Sequence, residues 1–364
     1  DVELLCRKLK LYGVIESSVK WFRSFLTNRK QQTQIGSSKS EAETISIGCP
    51  QGSLLSPLLF LIYVADMELW VENVTVTGYA DDTASYVSDK DEDAVIKKLE
   101  GDAERILRFM ASNYLSANAQ KTGFMLIRGG RLSTERVIAV GDELIEEEAN
   151  HRVLGIMVNN NLTWNEHVFA KGGLLSSVNQ RVGALHRLSY HVPRKFLPEI
   201  ATALIASKIR YGIEIYGGIR VKEEDPLSAS SKDLQIALNE GMRVAVGVRK
   251  RDRVRIADLT KQTGIQSVNR MAAEASLSLI WRSINVESSP LTAVISRVVN
   301  ATGRSSRSET RGDLQSVAIM SLGRRNFPEP AVRLWNSAAS TVKAAALKRS
   351  AKTAIKNFVN NLPL

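Results

Sequence analysis

The sequence predicts an α+β fold over its first 160 residues and an all-helical continuation to residue 364. Three observations carry that expectation. Up to about residue 160, β-branched and aromatic runs such as Val74-Thr75-Val76-Thr77-Gly78-Tyr79 and Thr83-Ala84-Ser85-Tyr86-Val87 are interleaved with segments of helical spacing. Beyond Trp164 the spacing is helical almost throughout. The pattern changes near residue 161, and a charged, serine-containing stretch follows at Lys222 to Ser231, so the expected domains are 1–160, 161–225 and 226–364.

Element by element, Val2, Leu4, Leu5, Leu9 and Leu11 outline a first helix ended by Gly13. A second is expected over Ser17 to Leu26, with Val19, Phe22 and Leu26 on one face. Lys30 to Ile35 and Glu43 to Ile47 alternate as a hairpin. Gly48-Cys49-Pro50-Gln51-Gly52-Ser53 is a tight loop opening a buried helix, for which Ser56 suits the cap and Pro57 the first position. Two strands then meet at Tyr79-Ala80-Asp81-Asp82. Asp89 to Asp93 starts a helix through Met110, its acidic residues suiting the helix dipole. A turn over Ser116 to Thr122 leads to a strand at Gly123 to Ile127, with Val137 to Ile145 as its hairpin neighbour. Arg152 to Val158 reads as one further strand, ended by Asn159-Asn160-Asn161. Helices follow near 164–189, 194–216, 231–247, 267–285, 290–301, 329–342 and 345–361, with a Gly/Ser/Arg-rich break at Thr302 to Gly312 and no internal repeat.

Composition narrows the function classes. The net charge of +11, from 49 basic and 38 acidic residues, suits a polyanionic partner. Aromatic residues make up only 6%, which argues against binding by wholesale base stacking. Two cysteines, Cys6 and Cys49, are too few for a disulfide framework or a zinc knuckle and point to a reducing, intracellular setting, nucleus or cytoplasm. The four histidines show no paired metal spacing, and His186 and His191 read as surface residues. The longest apolar run, residues 54–64, is about eleven residues, too short to span a bilayer, and no signal peptide is evident. Trp164, Trp281 and Trp335 read as packing residues.

The chemistry concentrates at Asp81 and Asp82. Two adjacent carboxylates at a hairpin tip repel one another unless a cation sits there, and hard oxygen ligands suit magnesium. A bare Asp-Asp pair is otherwise an ordinary solvated turn. Consecutive strand residues point to opposite faces, so both carboxylates reach one metal site only if the turn reorients one of them.

The phrase Gly48-x-Pro50-Gln51-Gly52-Ser53-x-x-Ser56-Pro57-x-Leu59-Phe60, followed by Tyr79-Ala80-Asp81-Asp82-Thr83, resembles the reverse transcriptase domain of non-LTR retrotransposons, over residues 1 to about 165. A weaker likeness extends through Trp335-Asn336. The resemblance implies a right-hand polymerase palm with partial fingers over 1–160, a helical thumb over 161–225 and an all-α C-terminal extension. It implies an RNA-directed DNA polymerase working on an RNA template, a DNA primer and deoxynucleoside triphosphates, with two Mg2+ ions (Mn2+ as a substitute) and no membrane.

By the same resemblance, Asp81 is the main metal ligand and Asp82 the assisting one. Pro50, Gln51, Gly52, Ser53 and Tyr79 contact the template base and incoming nucleotide. Lys121 lies near the pyrophosphate leaving group as acid or charge neutraliser, in a turn shaped by Asn118. Leu154 and Gly155 grip the primer end. Plain alternatives stand beside these: a surface lysine at Lys121 and a simple strand glycine at Gly155. The run Arg249, Lys250, Arg251, Arg253, Arg255 suits template phosphates, a solvated loop or a nuclear-localisation-like patch equally well.

The resemblance also places the remaining metal carboxylate on a strand preceding Asp1-Val2-Glu3-Leu4-Leu5, with Asp1 at a flanking position. Without that strand the chain is expected to be inactive. Two alternatives follow: a non-catalytic nucleic-acid-binding remnant of such an element, or an intron-encoded or telomerase-type reverse transcriptase.

Overall fold

The computed structural model describes residues 1–118, 121–128, 136–220, 228–286, 289, 291, 295, 311–315, 329–345 and 348–362. Within these the fold is α+β up to residue 159 and helical beyond it. By contacts the chain divides into two compact units: residues 1–124 with 133–148, and residues 125–132 with 149–364.

In the first unit, the Asp1 carboxylate caps helix α1 (Val2–Leu11) by accepting from the Leu4 N–H at 2.7 Å. Its apolar stripe of Leu5, Cys6 and Leu9 packs with Val19 and Leu26 of α2 (Glu16–Leu26) and with Leu59 and Tyr63 of α3 (Ser56–Val64). Lys8 is buried against this group. Its ammonium reaches the Tyr63 carbonyl at 2.6 Å and Asp66 at 2.5 Å, and lies over the rings of Tyr63 and Phe109.

The expected first hairpin forms between β1 (Arg29–Gln31) and β4 (Glu43–Ile45), and a smaller ribbon of β2 (Gln34–Ile35) and β3 (Ser38–Lys39) sits inside it. Helix α3 differs from expectation in two ways. Leu55 occupies the cap, and Ser56 instead donates its hydroxyl to the Pro50 carbonyl at 2.7 Å, so it ties the loop rather than capping the helix. Only Leu59 and Tyr63 of this helix are buried, while Leu58 and Leu61 are exposed; an apolar run that suggested full burial is covered on one side alone.

Strands β5 (Thr75–Tyr79) and β6 (Asp82–Tyr86) form the second hairpin, and α4 (Glu92–Ser112) follows with Asp91 as its cap. The segment Gly123 to Ile127 contributes one isolated bridge, Phe124 to Glu147, rather than a strand. Val137 to Ile145 therefore has no strand partner there; it folds on itself as β7 (Val137–Val140) and β8 (Glu143–Glu146) about Gly141, whose positive φ of 63° suits a tight turn.

The second unit begins with another correction. Arg152 to Val158 is not one strand but part of a hairpin, β9 (Asn150–Val153) and β10 (Ile156–Asn159), with Leu154-Gly155 as its two-residue turn. The described strands thus form five separate antiparallel pairs. The helical half follows the predicted order with finer breaks. The first expected helix is α5 (Asn165–Phe169) and α6 (Leu174–Leu188). The next is α7 (Leu197–Ala201), a π-helical turn (Thr202–Ala206), α8 (Ser207–Arg210) and α9 (Ile213–Tyr216), with a corner at Tyr211-Gly212. Then come α10 (Ala229–Val246), an unforeseen α11 (Ile256–Thr263) and α12 (Val268–Asn285).

Helix α12 is buried on two sides. Val268, Met271 and Ala272 join a core built by α6 to α11, and Ala273, Leu277, Ile280 and Trp281 join a second core with the helices Glu329–Ser337 and Lys348–Val359. The expected helix at 290–301 and the breaks at 222–231 and 302–312 lie mostly outside the described residues. His186 and His191 are exposed, as expected, and Trp335 is fully buried with its indole N–H on the Gly312 carbonyl at 3.1 Å.

Candidate functional site

The Asp-Asp pair owes its geometry to hairpin register. Tyr79 pairs with Asp82, which leaves Ala80 and Asp81 as a two-residue turn. Asp81 therefore sits in the turn and Asp82 opens the returning strand, so the alternation of a continuous strand does not apply across them. Ala80 takes φ of 53°, a left-handed conformation uncommon for a residue with a Cβ. Both carboxylates and Tyr79 are exposed. Among the described residues, no group of three or more His, Cys, Asp or Glu side chains is placed to hold a metal ion. Two adjacent exposed carboxylates nonetheless fit Mg2+, a hard cation that takes one or two carboxylates and completes its shell with water and substrate phosphates.

The Pro50-Gln51-Gly52-Ser53 loop is held at both ends. On the incoming side the Arg29 guanidinium donates to the Leu26 carbonyl at 2.9 Å, to Ile47 at 3.1 Å and to Gly48. On the outgoing side Ser53 donates its N–H to the Pro50 carbonyl at 3.4 Å and accepts the Leu55 N–H on its hydroxyl at 3.2 Å. Gly52 takes φ of 80° and nothing lies within 4 Å of where a Cβ would stand, so the loop exposes backbone there; Gln51 is exposed beside it. Burial pushes the Cys49 thiol above its ordinary range, with Arg29 opposing. The sequence reading missed Arg29; its signal was a lone arginine opening the strand opposite the loop.

Lys121 is exposed, and its N–H closes the turn on the Asn118 carbonyl at 3.0 Å. The Asn118 carbonyl also accepts the Thr122 hydroxyl at 3.0 Å. Lys121 shares the first unit with Asp81, Asp82 and the Pro50–Ser53 loop.

Leu154 and Gly155 belong to the second unit. Both have positive φ, 47° and 83°, at the tip of the β9–β10 hairpin. The basic run also lies in the second unit, in the connection between α10 and α11. Arg249, Lys250, Arg251, Arg253 and Arg255 are all exposed, while Val248 and Val254 anchor the connection to the core. Asp252, itself exposed, accepts the Arg249 N–H at 2.6 Å, so the one acidic residue of the run is engaged by its own backbone. The Arg194 guanidinium packs against Gly247, where an added Cβ would lie 2.9 Å from it, and adds a further cation at the start of the run.

Known proteins resemble this chain chiefly over the part that carries this geometry. Residues 1–158 match the family model described as reverse transcriptase (RNA-dependent DNA polymerase). The chain is 26% identical over 208 residues to the RNA-directed DNA polymerase from mobile element jockey of Drosophila melanogaster, covering 54% of this chain and 22% of that protein. It is 28% identical over 170 residues to a retrovirus-related Pol polyprotein from a type-1 retrotransposable element R1 of Nasonia vitripennis, covering 42% of each. The jockey polymerase of Drosophila funebris is 24% identical over 210 residues, again covering 54% of this chain and 22% of its own length. The chain thus spans less than half the length of these curated relatives. No solved structure matches it. Among the described residues no helix is long and apolar enough to cross a membrane.

Proposed function

We propose that residues 1–158, which match the reverse transcriptase family model, are a reverse transcriptase domain of the non-LTR retrotransposon kind, and that the chain is part of an RNA-directed DNA polymerase that extends a DNA primer on an RNA template. The observation that carries the reading is the β5–β6 hairpin, whose tight turn presents Asp81 and Asp82 together and uncovered. In this reading the α+β part is a palm with partial fingers, residues 161–225 are the thumb, and the remaining helices form an extension.

Asp81 and Asp82 are the residues that would hold Mg2+. Bound there, the metal lowers the pKa of the primer 3′-hydroxyl and neutralises charge on the attacked phosphate. The tethered Gly52 backbone and the Gln51 amide offer close approach and paired donor and acceptor to the template base and nucleotide. Lys121 carries a mobile positive charge for the departing pyrophosphate. Leu154 and Gly155 hold the primer end, and the exposed cations from Arg249 to Arg255 neutralise template phosphates without reading sequence.

The test is primer extension on an RNA template with Mg2+, using the complete open reading frame that encodes this chain. Extension that falls by at least a hundredfold in Asp81→Asn, with primer-template binding retained, supports the polymerase. Salt-sensitive binding without any extension would leave the chain a binding remnant and remove the catalytic roles of Asp81, Asp82 and Lys121.

A further inference from the structure

The turn Leu154-Gly155 is built against the preferences of its own sequence. A two-residue hairpin turn with both residues at positive φ favours Asn-Gly or Gly-Gly, because a bulky side chain crowds the backbone there. Here a leucine occupies the first position with φ of 47°, and it is 44% exposed, so burial of its own side chain does not hold it in place. The restraint comes from the corner that breaks the helical run after α8. The Tyr211 hydroxyl donates to the Leu154 carbonyl at 2.6 Å. The Tyr211 ring lies over Gly155, where an added Cβ would stand 3.6 Å from the ring edge. Gly212, itself at φ of 67°, lets the corner close on Ile156, whose Cδ1 would be 2.3 Å from a Cβ on this glycine. Behind the turn, the Met157 N–H donates to His167 Nδ1 at 3.3 Å. Tyr211 remains 57% exposed, so the burial it gains is a small part of its role.

We propose that Tyr211 is a positioning residue: by holding Leu154 and Gly155 in their left-handed conformations it sets the shape of the turn that receives the primer 3′ end. This rests on the primer-end reading of the turn given above. Tyr211 touches no substrate in this account. It acts on the turn through one hydrogen bond and one ring edge, and Gly212 makes room for the corner.

The experiment measures binding of the full chain, by fluorescence anisotropy at fixed salt, to two probes. One is an RNA template with a recessed DNA primer 3′ end; the other is the same duplex with a blunt end. Tyr211→Phe keeps the ring and removes the hydroxyl, and its melting temperature is checked against the unmodified chain. The expected result is a loss of about two- to tenfold on the recessed end, the worth of one hydrogen bond, with the blunt duplex unchanged. In a Leu154→Asn background, where the side chain tolerates the left-handed turn, the same Tyr211→Phe change should cost less than about twofold. The proposal is overturned by an equal loss on both probes, by a loss undiminished in the Leu154→Asn background, or by no loss while Gly155→Val does weaken the recessed end. If neither Tyr211→Phe nor Gly155→Val alters any preference for the recessed end, the primer-end reading itself fails and takes the proposal with it.

Discussion

At the scale of single residues, the Asp102 carboxylate of α4 ties down the connection that precedes β5. It has no exposed surface. Its oxygens accept the backbone N–H groups of Glu72, Asn73 and Val74 at 3.1, 2.6 and 2.8 Å, and pair with Arg105 at 2.9 Å. Desolvation pushes its pKa up, but the three N–H groups and Arg105 outweigh it and hold the group below the ordinary carboxylate range. A depressed folded pKa means that the stabilisation is complete above the unfolded value of about 4 and fades as pH falls through the folded one. Asp102→Asn should therefore cost about 2 to 4 kcal/mol in urea unfolding at neutral pH, and the gap to the unmodified chain should narrow as pH drops below about 4. The sequence reading did not single this residue out, although an aspartate falls among Val95, Leu99, Ile106 and Phe109 at helical spacing. Its partners were not legible, because they are backbone groups of a connection that precedes β5 and has no pattern of its own. Asp81 and Asp82 were easier, since register alone brings them to one tip.

At the scale of elements, turn formers at the tip revealed one hairpin and were passed over at others. Gly78, Ala80 and the two aspartates interrupted a β-branched run, so β5 and β6 were read correctly. Arg152 to Val158 looked like one strand because Leu154 carries no turn signal of its own and Gly155 was read as a strand glycine; at the hairpin tip the Leu154 carbonyl accepts from the Tyr211 hydroxyl. Gly141-Asp142 carried a hairpin signal between Val137 and Ile145 that was read across rather than around. The dense packing of the Tyr211-Gly212 corner gives a second stability test. Gly212→Ala introduces both a strained φ and a clash with Ile156 Cδ1, and should lower stability by about 2 to 3 kcal/mol. Combining it with Ile156→Val, which removes that methyl, should recover part of the loss; urea midpoints of the two variants and their combination measure it. Arg29, by contrast, restrains a loop rather than a core. Arg29→Ala should speed amide exchange at Gly48 and Ser53 with little change in the global transition.

At the scale of the whole molecule, charge and core organisation say different things. The excess of +11 is a property of the chain, but its densest expression is one exposed connection between two helices of the second unit. Binding to a nucleic acid should weaken steeply with salt, and replacing Arg251 and Arg253 together by glutamine should lower the slope of log K against log salt by about 1.5 to 2. A solvated loop would leave the slope unchanged. The cores divide the helical half at α12 rather than at a linker, and this was hidden in the sequence because both of its faces look alike: small and apolar residues run nearly around the helix. Trp281 and Trp335 both lie in the second of these cores, with their indole N–H groups on the carbonyls of Ala345 and Gly312. Trp21, on α2, faces solvent. The chain thereby carries its own optical readout. Of the five tryptophans, Trp281 and Trp335 give the emission most blue-shifted and least open to iodide, exposed Trp21 and Trp70 give the quenchable component, and half-buried Trp164 falls between, so the extremes can be followed through a melt without any added dye.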